Sequence, residues 1–181
     1  MIEPHRMKKI SPDSHESFKT DDLLICLAEV DDIEGVLDVQ EENQPENGGN
    51  LSARFSRDWF TQAIANRSII VARSNGCVAG YTAFTSREVQ AHVPIIQAML
   101  SAYANPGAYL HGPICVGRNF LRRGIASAMF CAQRAQMNHS AVMAFIREDN
   151  HASRQAHKSM GMHQVAAFEY NSTCYVVVAA A

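Results

Sequence analysis

Residues 116–126 read VGRNFLRRGIA and form a basic turn between two apolar segments of different character. The segment before the turn, residues 108–116, has strand character. The segment after it, residues 125–136, repeats apolar side chains at i, i+3, i+4 and i+7 from Ile125, which is typical of one helix face. The first amides of a helix have no intrahelical partner, and the helix dipole makes that end electropositive. Gly124 has no Cβ to keep a ligand away from the backbone. The strand, the turn and the helix together predict a phosphate-binding site, with added positive charge from Arg118, Arg122 and Arg123.

Length and composition limit the classes of protein to which the chain can belong. Its 181 residues, 47% hydrophobic and 19% charged, suit one domain with a buried core. A net charge of −2 argues against a broad basic face for nucleic acid. No apolar run approaches the roughly 18 residues that span a bilayer, and no signal-peptide core precedes the domain. These features predict a cytoplasmic protein without nucleic-acid or membrane partners.

The five cysteines lie in apolar segments, and none is spaced as a zinc ligand pair. The sequence therefore predicts buried, reduced thiols and no metal site.

Hydrophobic periodicity predicts a single α/β domain over residues 22–181, preceded by a flexible polar leader at residues 1–21. The predicted order of elements is β-α-α-β-β-β-α-β-α-β-β. Strands are expected near residues 23–28, 68–72, 77–84, 108–116, 141–146, 163–170 and 174–178. An amphipathic helical insert is expected at residues 87–107. The sheet is expected to be mixed and mostly antiparallel, with about seven strands flanked by helices.

A second segment, residues 150–162, reads NHASRQAHKSMGM and completes a recognisable pair of motifs. With LRRGIA at residues 121–126, and in this order of elements, the chain resembles the GNAT superfamily of N-acetyltransferases. The family's acetyl-CoA motif, (Gln/Arg)-x-x-Gly-x-(Gly/Ala), falls on residues 121–126. Its second motif, Asn-x-x-(Ala/Ser)-x-x-x-(Tyr/His)-x-x-x-Gly-(Phe/Met), falls without a gap on Asn150, Ser153, His157, Gly161 and Met162. The resemblance covers roughly residues 22–178.

The resemblance implies transfer of an acetyl group from acetyl-CoA to a primary amine of a small molecule or a protein. Two neighbouring parallel strands, here residues 109–116 and 141–146, would splay apart to form the CoA cleft. By position, the amide of Val116 would bind the thioester carbonyl and stabilise the oxyanion. Asn150 would contact the cofactor beside that carbonyl. The pyrophosphate would be held by the amides of Arg122, Arg123, Gly124, Ile125 and Ala126. Further cofactor contacts are expected from Cys115, Leu121, Ser127 and Ser153.

His157 stands where the family usually has the tyrosine that protonates the departing thiolate. The resemblance therefore implies that His157 is the catalytic acid, and a packing role is the alternative. A CoA thiol resembles cysteine, with a pKa of about 8.5, and histidine near 6.5 can donate from its imidazolium form.

The chain departs from the family pattern at three places. Leu121 replaces the first Gln or Arg of the acetyl-CoA motif, so one contact near the pyrophosphate is missing. Leu110 lies six residues before Val116, where several relatives carry a general base. His111 is adjacent but is expected to face the other side of the strand unless a bulge intervenes. The third departure is the insert, residues 87–107.

The acceptor and the assembly are left open by the sequence. The acidic loop at Glu41, Glu42 and Asn43 would suit a cationic amine, although solvated loop charge is the alternative. The insert suits packing or a dimer contact better than a substrate wall, and a homodimer is one expected assembly because the family often dimerises. Two other functions are considered: a non-catalytic acyl-CoA-binding sensor on the same fold, and an unrelated α/β domain that binds a different phosphate ligand.

Overall fold

Seven strands form one mixed sheet in the order β1-β2-β3-β4-β5-β7-β6 in the computed structural model, which describes residues 23–181. Every pair of neighbouring strands is antiparallel except β4 and β5. The strands are β1 (Leu23–Leu27), β2 (Ile69–Ser74), β3 (Cys77–Thr85), β4 (Tyr109–Val116), β5 (Val142–Arg147), β6 (His163–Tyr170) and β7 (Thr173–Ala180). The predicted sheet is confirmed, and the predicted leader at residues 1–21 lies outside the described residues.

Six α-helices in this part of the chain flank the sheet on both faces. They are α1 (Ile33–Glu42), α2 (Arg57–Ala65), α3 (Arg87–Gln90), α4 (Pro94–Ala102), α5 (Ile125–Gln136) and α6 (His151–Ser159). Alternate residues of a strand point to opposite faces. Ile70 accordingly packs in the cluster that contains α5, whereas Ile69 packs in the cluster that contains α1 and α2. Met143 packs with α4 on the face opposite α5. Both faces are covered, which explains why the central strands are apolar throughout.

The parallel strands β4 and β5 separate soon after they begin. Their pairing is limited to Tyr109 with Val142 and Leu110 with Met143, although β4 has eight residues and β5 has six. Beyond these pairs the strands splay, as the resemblance implies, and a gap opens between their C-terminal halves.

A β-bulge in β4 changes which side chains face α5. Thr82 pairs with Ile114, and Phe84 pairs with His111. The two pairs are two residues apart on β3 but three residues apart on β4. The extra residue lies at Gly112–Pro113, where Gly112 takes a φ of 109° that side-chain-bearing residues rarely adopt. The bulge reverses the alternation, so His111 and Val116 lie on the same face of the sheet. Leu110 packs instead with α4.

The insert differs from the single helix that its periodicity predicts. It forms two short helices, α3 and α4, with a break at residues 91–93. Pro94 starts α4 because proline lacks an amide hydrogen and disfavours helical geometry in the residue before it. Val89 of α3 is exposed despite its apolar side chain. The helix α4 nonetheless covers the sheet through Ile96 and Met99.

The prediction that all the cysteines are buried is wrong. All five are free thiols within the described residues, but only Cys115 is buried. Cys26 is half-buried, and the exposed thiols are Cys77, Cys131 and Cys174. An apolar neighbourhood in the sequence did not imply burial because these residues fall on the solvent side of their elements.

No helix within residues 23–181 is long and apolar enough to cross a membrane.

Candidate active site

A cavity of about 650 Å³ lies where β4 and β5 separate. This volume falls in the usual range for small-molecule sites. Residues 111–116 of β4 and 144–147 of β5 form its two sides, and residues 48–52 also line it. The cavity brings together several residues that the sequence predicts for cofactor binding and catalysis: Cys115, Val116, Leu121, Ala126, Asn150, Ser153 and His157.

The amide of Val116 points into this gap. The amide of Gly117 donates to the carbonyl of Ala79 over 2.9 Å, and Val116 is the register partner of Gly80. In an antiparallel ladder this pattern makes Gly80 and Val116 a non-hydrogen-bonded pair, whose N–H and C=O groups point away from each other's strand. The N–H of Val116 is therefore directed away from β3, toward the side from which β5 has separated. The Val116 carbonyl accepts from Asn43 Nδ2 at 3.2 Å.

Cys115 lies next to this amide but faces the opposite way. Its side chain is buried in the cluster with α1 and α2, and its backbone pairs with Tyr81. Burial raises the pKa of the Cys115 thiol to about 12. Cys115 therefore contributes backbone to the cavity wall while its thiol stays protonated in the core.

The turn before α5 presents a series of backbone amides. Gly124 caps the helix with a φ of 75°, and Arg122 also has a positive φ of 62°. The first bond within the helix runs from the Ala128 amide to the Gly124 carbonyl over 3.0 Å, so the amides of residues 125–127 precede it. No acidic side chain lies in the first turn of α5.

This turn has the chemistry that a pyrophosphate needs. Amide donors and a positive helix end converge there, and the first turn of α5 carries no acidic side chain. Leu121 and Ala126 reach the cavity itself. The remaining predicted contacts belong to the same turn and the first turn of α5, and they are Arg122, Arg123, Gly124, Ile125 and Ser127. The Arg123 guanidinium lies 5.6 Å from the ring centre of Phe120, and the Ile125 side chain packs in the core.

Asn150 caps α6 at the opposite wall of the cavity. Its Oδ1 accepts from the Ser153 amide at 3.0 Å. That bond directs the side-chain oxygen toward the start of α6, and the amide nitrogen of Asn150 is a donor that can face a ligand.

His157 lies one turn of α6 after Ser153 and is 4% exposed. Its Nδ1 is 2.8 Å from the carbonyl oxygen of Ser153 and 3.3 Å from the Ser153 hydroxyl. Burial lowers the pKa of His157 below its usual value, and the bond to the Ser153 carbonyl opposes that shift.

His111 is a second buried histidine beside the first. The centres of the two rings are 5.3 Å apart, with the rings inclined at 67°. His111 Nδ1 is 2.8 Å from Oε1 of Gln133 on α5. Burial, and then the proximity of His157, lower the pKa of His111 to about 3. Both rings are therefore neutral near pH 7.

Gln133 lies beside His111 and is not among the residues that the sequence predicts for the site. It is completely buried, and its Oε1 also accepts from the Thr82 hydroxyl at 3.2 Å. The sequence does indicate that Gln133 is buried, because it lies four residues after Met129 on the apolar face of α5. A glutamine at an apolar helix position indicates a buried polar partner.

We expect Gln133→Met to lower the free energy of unfolding by about 2 kcal/mol, because Thr82 and His111 each lose their acceptor in the core. Urea denaturation measures the change. The control is Thr82→Val, which is expected to destabilise the wild type but to be neutral or stabilising beside Gln133→Met. Additive effects of the two substitutions would contradict the shared hydrogen-bonded cluster.

The acidic side chains in and near this loop differ in their surroundings. Glu41 and Glu46 both pair with Arg54 on the surface. Glu42 Oε2 accepts from the Arg118 amide at 2.9 Å, and Glu42 lines the cavity with Asn43. Glu42 is therefore the one carboxylate among the described residues that line the cavity.

No group of three or more histidine, cysteine or acidic side chains within residues 23–181 is arranged to hold a metal ion.

Comparison with solved structures supports the fold at low sequence identity. Ard1 from Thermoplasma volcanium is 16% identical with a TM-score of 0.66, and the alignment covers 87% of this chain and 96% of that one. YncA from Salmonella typhimurium, solved with acetyl-CoA, is 14% identical with a TM-score of 0.66 and coverage of 88% and 93%. The ribosomal-protein-S18-alanine N-acetyltransferase from Escherichia coli is 12% identical with a TM-score of 0.61 and coverage of 87% and 92%.

A search of curated proteins found no significant match to the sequence. A profile of the Acetyltransferase (GNAT) family, in contrast, matches residues 34–162, which is more than half of the chain. The match includes both sequence motifs, the splayed strands and the two histidines. The chain belongs to the GNAT acetyltransferase family.

Proposed function

We propose that this protein transfers an acetyl group from acetyl-CoA to a primary amine of a small molecule or a peptide. The proposal is carried by one observation: a single cavity joins the amide-rich start of α5, the inward-pointing amide of Val116 and a pair of neutral histidines. YncA was solved with acetyl-CoA, which supports the choice of acyl donor. The Escherichia coli neighbour acts on a ribosomal protein, which supports an amine acceptor.

Different residues along the cavity would contact different parts of acetyl-CoA. Acetyl-CoA, when bound, supplies the acetyl group as a thioester. The amides at residues 122–127 would hold its pyrophosphate, because they lie at the positive end of α5, before its first intrahelical hydrogen bond. The Val116 amide would donate to the thioester carbonyl and stabilise the negative charge that develops on that oxygen. The nitrogen of the Asn150 side chain would contact the cofactor beside it.

The acceptor would bind beside residues 48–52, which line the cavity. Glu42 and Asn43 lie on that side of the cavity, and Glu42 supplies a negative charge. On the β5 and β7 side, Phe145 and Tyr175 form an aromatic wall with ring centres 5.5 Å apart. A carboxylate opposite aromatic rings suits a cationic amine with an apolar substituent. The pairing of Glu41 with Arg54 reduces the charge available there, so the selection rests on Glu42.

The test is a screen of acceptor amines for release of the CoA thiol from acetyl-CoA. The panel contains peptides with free N-termini, polyamines, amino acids and aromatic amines, and each is matched with its N-acetylated form as a control. We expect thiol release with at least one free amine and none with its blocked form. Tight binding of CoA without thiol release for any amine would favour the acyl-CoA sensor. Failure to bind CoA would favour a different phosphate ligand.

A further inference from the structure

The hydrogen bond at Nδ1 of His157 fixes its tautomer. The partner is the backbone carbonyl of Ser153 at 2.8 Å, and a carbonyl oxygen can only accept. Nδ1 must therefore carry a proton. In a neutral imidazole the other nitrogen, Nε2, then has a lone pair and no hydrogen. His157 lines the cavity, so Nε2 is the nitrogen it offers to a ligand.

Neutral His157 consequently cannot donate a proton to a leaving group. Donation would require the imidazolium form, which burial disfavours. The groups that face the ring do not stabilise the imidazolium form of His157. Ser153 lies on its own helix, and His111 of β4 is buried and held by Gln133 of α5. No carboxylate among the described residues hydrogen-bonds to either ring.

We propose that His157 accepts a proton during acetyl transfer, the reverse of the role that the family resemblance implies for this position. The inference rests on the proposed function. The nitrogen lone pair of the acceptor forms a bond to the acetyl carbon, and the carbon–sulfur bond breaks with its electron pair remaining on sulfur. The proton that the nitrogen loses moves to Nε2 of His157.

This assignment removes the need for a catalytic acid. A thiol with a pKa of about 8.5 is a stable enough thiolate to depart without prior protonation. The acceptor nitrogen becomes far more acidic once it is bonded to the acetyl carbon, so a weak base suffices to take its proton. The imidazolium that results returns its proton to the sulfur or to solvent, which restores the neutral ring.

The experiment compares kcat of the wild type and His157→Gln from pH 5 to 9 with an acceptor from the amine screen. Glutamine keeps a hydrogen-bond donor but cannot take up a proton. Dividing one kcat by the other removes the titration of the acceptor itself. We expect the ratio to be about 10² above pH 7, in keeping with general base catalysis. It should fall toward the low-pH end of the range, where the base becomes protonated, and the fall should begin below the pH at which an ordinary histidine titrates, because burial lowers the pKa of His157.

The opposite pH dependence would overturn the proposal. If His157 were the acid, the ratio would be largest at low pH and would fall as the imidazolium is lost. A ratio near 1 at every pH would also overturn it. His157→Tyr adds a second test, since tyrosine can donate but has no basic nitrogen: low kcat at pH 7.5 supports the base, and wild-type kcat refutes it. Titration with acetyl-CoA confirms that each variant folds and binds. Absence of transfer in the wild type with all amines would instead count against the proposed function.

Discussion

Replacing Val116 with proline is expected to lower kcat by about 10²–10³-fold, the effect of removing one donor from an oxyanion site. Proline deletes the N–H that points into the gap between β4 and β5. That N–H does not take part in the β3–β4 ladder, since Val116 and Gly80 form a non-hydrogen-bonded pair. A proline at such a position leaves the sheet intact. It also favours extended geometry at Cys115, which the strand already has.

The control for this substitution is Val116→Ala, which shortens the side chain and keeps the amide. We expect Val116→Ala to retain kcat within a few-fold. Thermal unfolding of both variants and their affinity for CoA separate a local loss from misfolding. Equal kcat for the proline and alanine variants would contradict the role of the Val116 amide.

Replacing Ala126 with aspartate is expected to weaken acetyl-CoA binding by about 10²-fold while leaving the protein as stable or more stable. Ala126 is the second residue of α5 and lines the cavity. A carboxylate there would repel the pyrophosphate, and near a protein surface two unit charges 4 Å apart interact by about 4 kcal/mol. In the free protein the same carboxylate would complement the helix dipole, by about 0.3–1 kcal/mol. Stability and affinity should therefore move in opposite directions.

The matched control is Ala126→Asn, which has nearly the same shape and no charge. We expect the asparagine variant to bind acetyl-CoA far better than the aspartate variant. The Kd from calorimetric titration and the melting temperature measure the two effects. Similar Kd values for the aspartate and asparagine variants would rule out a phosphate beside Ala126.

Much of the fold was predictable because it depends on local patterns. The apolar runs at residues 69–72 and 142–146 indicate strands that are buried on both faces, and the spacing after Gly124 indicates an amphipathic helix. The two motifs then fix the order of the elements around the cleft. The insert was predicted less well, because the helical spacing of its apolar residues continues across Pro94 while the backbone cannot.

The details of the candidate site depend on contacts that periodicity does not encode. Strict alternation places His111 and Val116 on opposite faces, and only the extra residue at Gly112–Pro113 brings them to one face. The tautomer of His157 depends on which atom hydrogen-bonds to its Nδ1. That atom is the backbone carbonyl oxygen of Ser153, and no sequence motif specifies such a contact. Gln133 was visible as a polar residue at an apolar position, but its two partners come from β3 and β4.

Hydrogen exchange of backbone amides, with and without acetyl-CoA, tests most directly whether the gap between β4 and β5 is the cofactor site. Exchange should slow at residues 122–127 and at Val116 when acetyl-CoA is present. Exchange in β2 (Ile69–Ser74), which lies outside the cavity lining, should be unchanged. Unchanged exchange at residues 122–127 and Val116 under saturating acetyl-CoA, or slowing confined to other segments, would contradict the account.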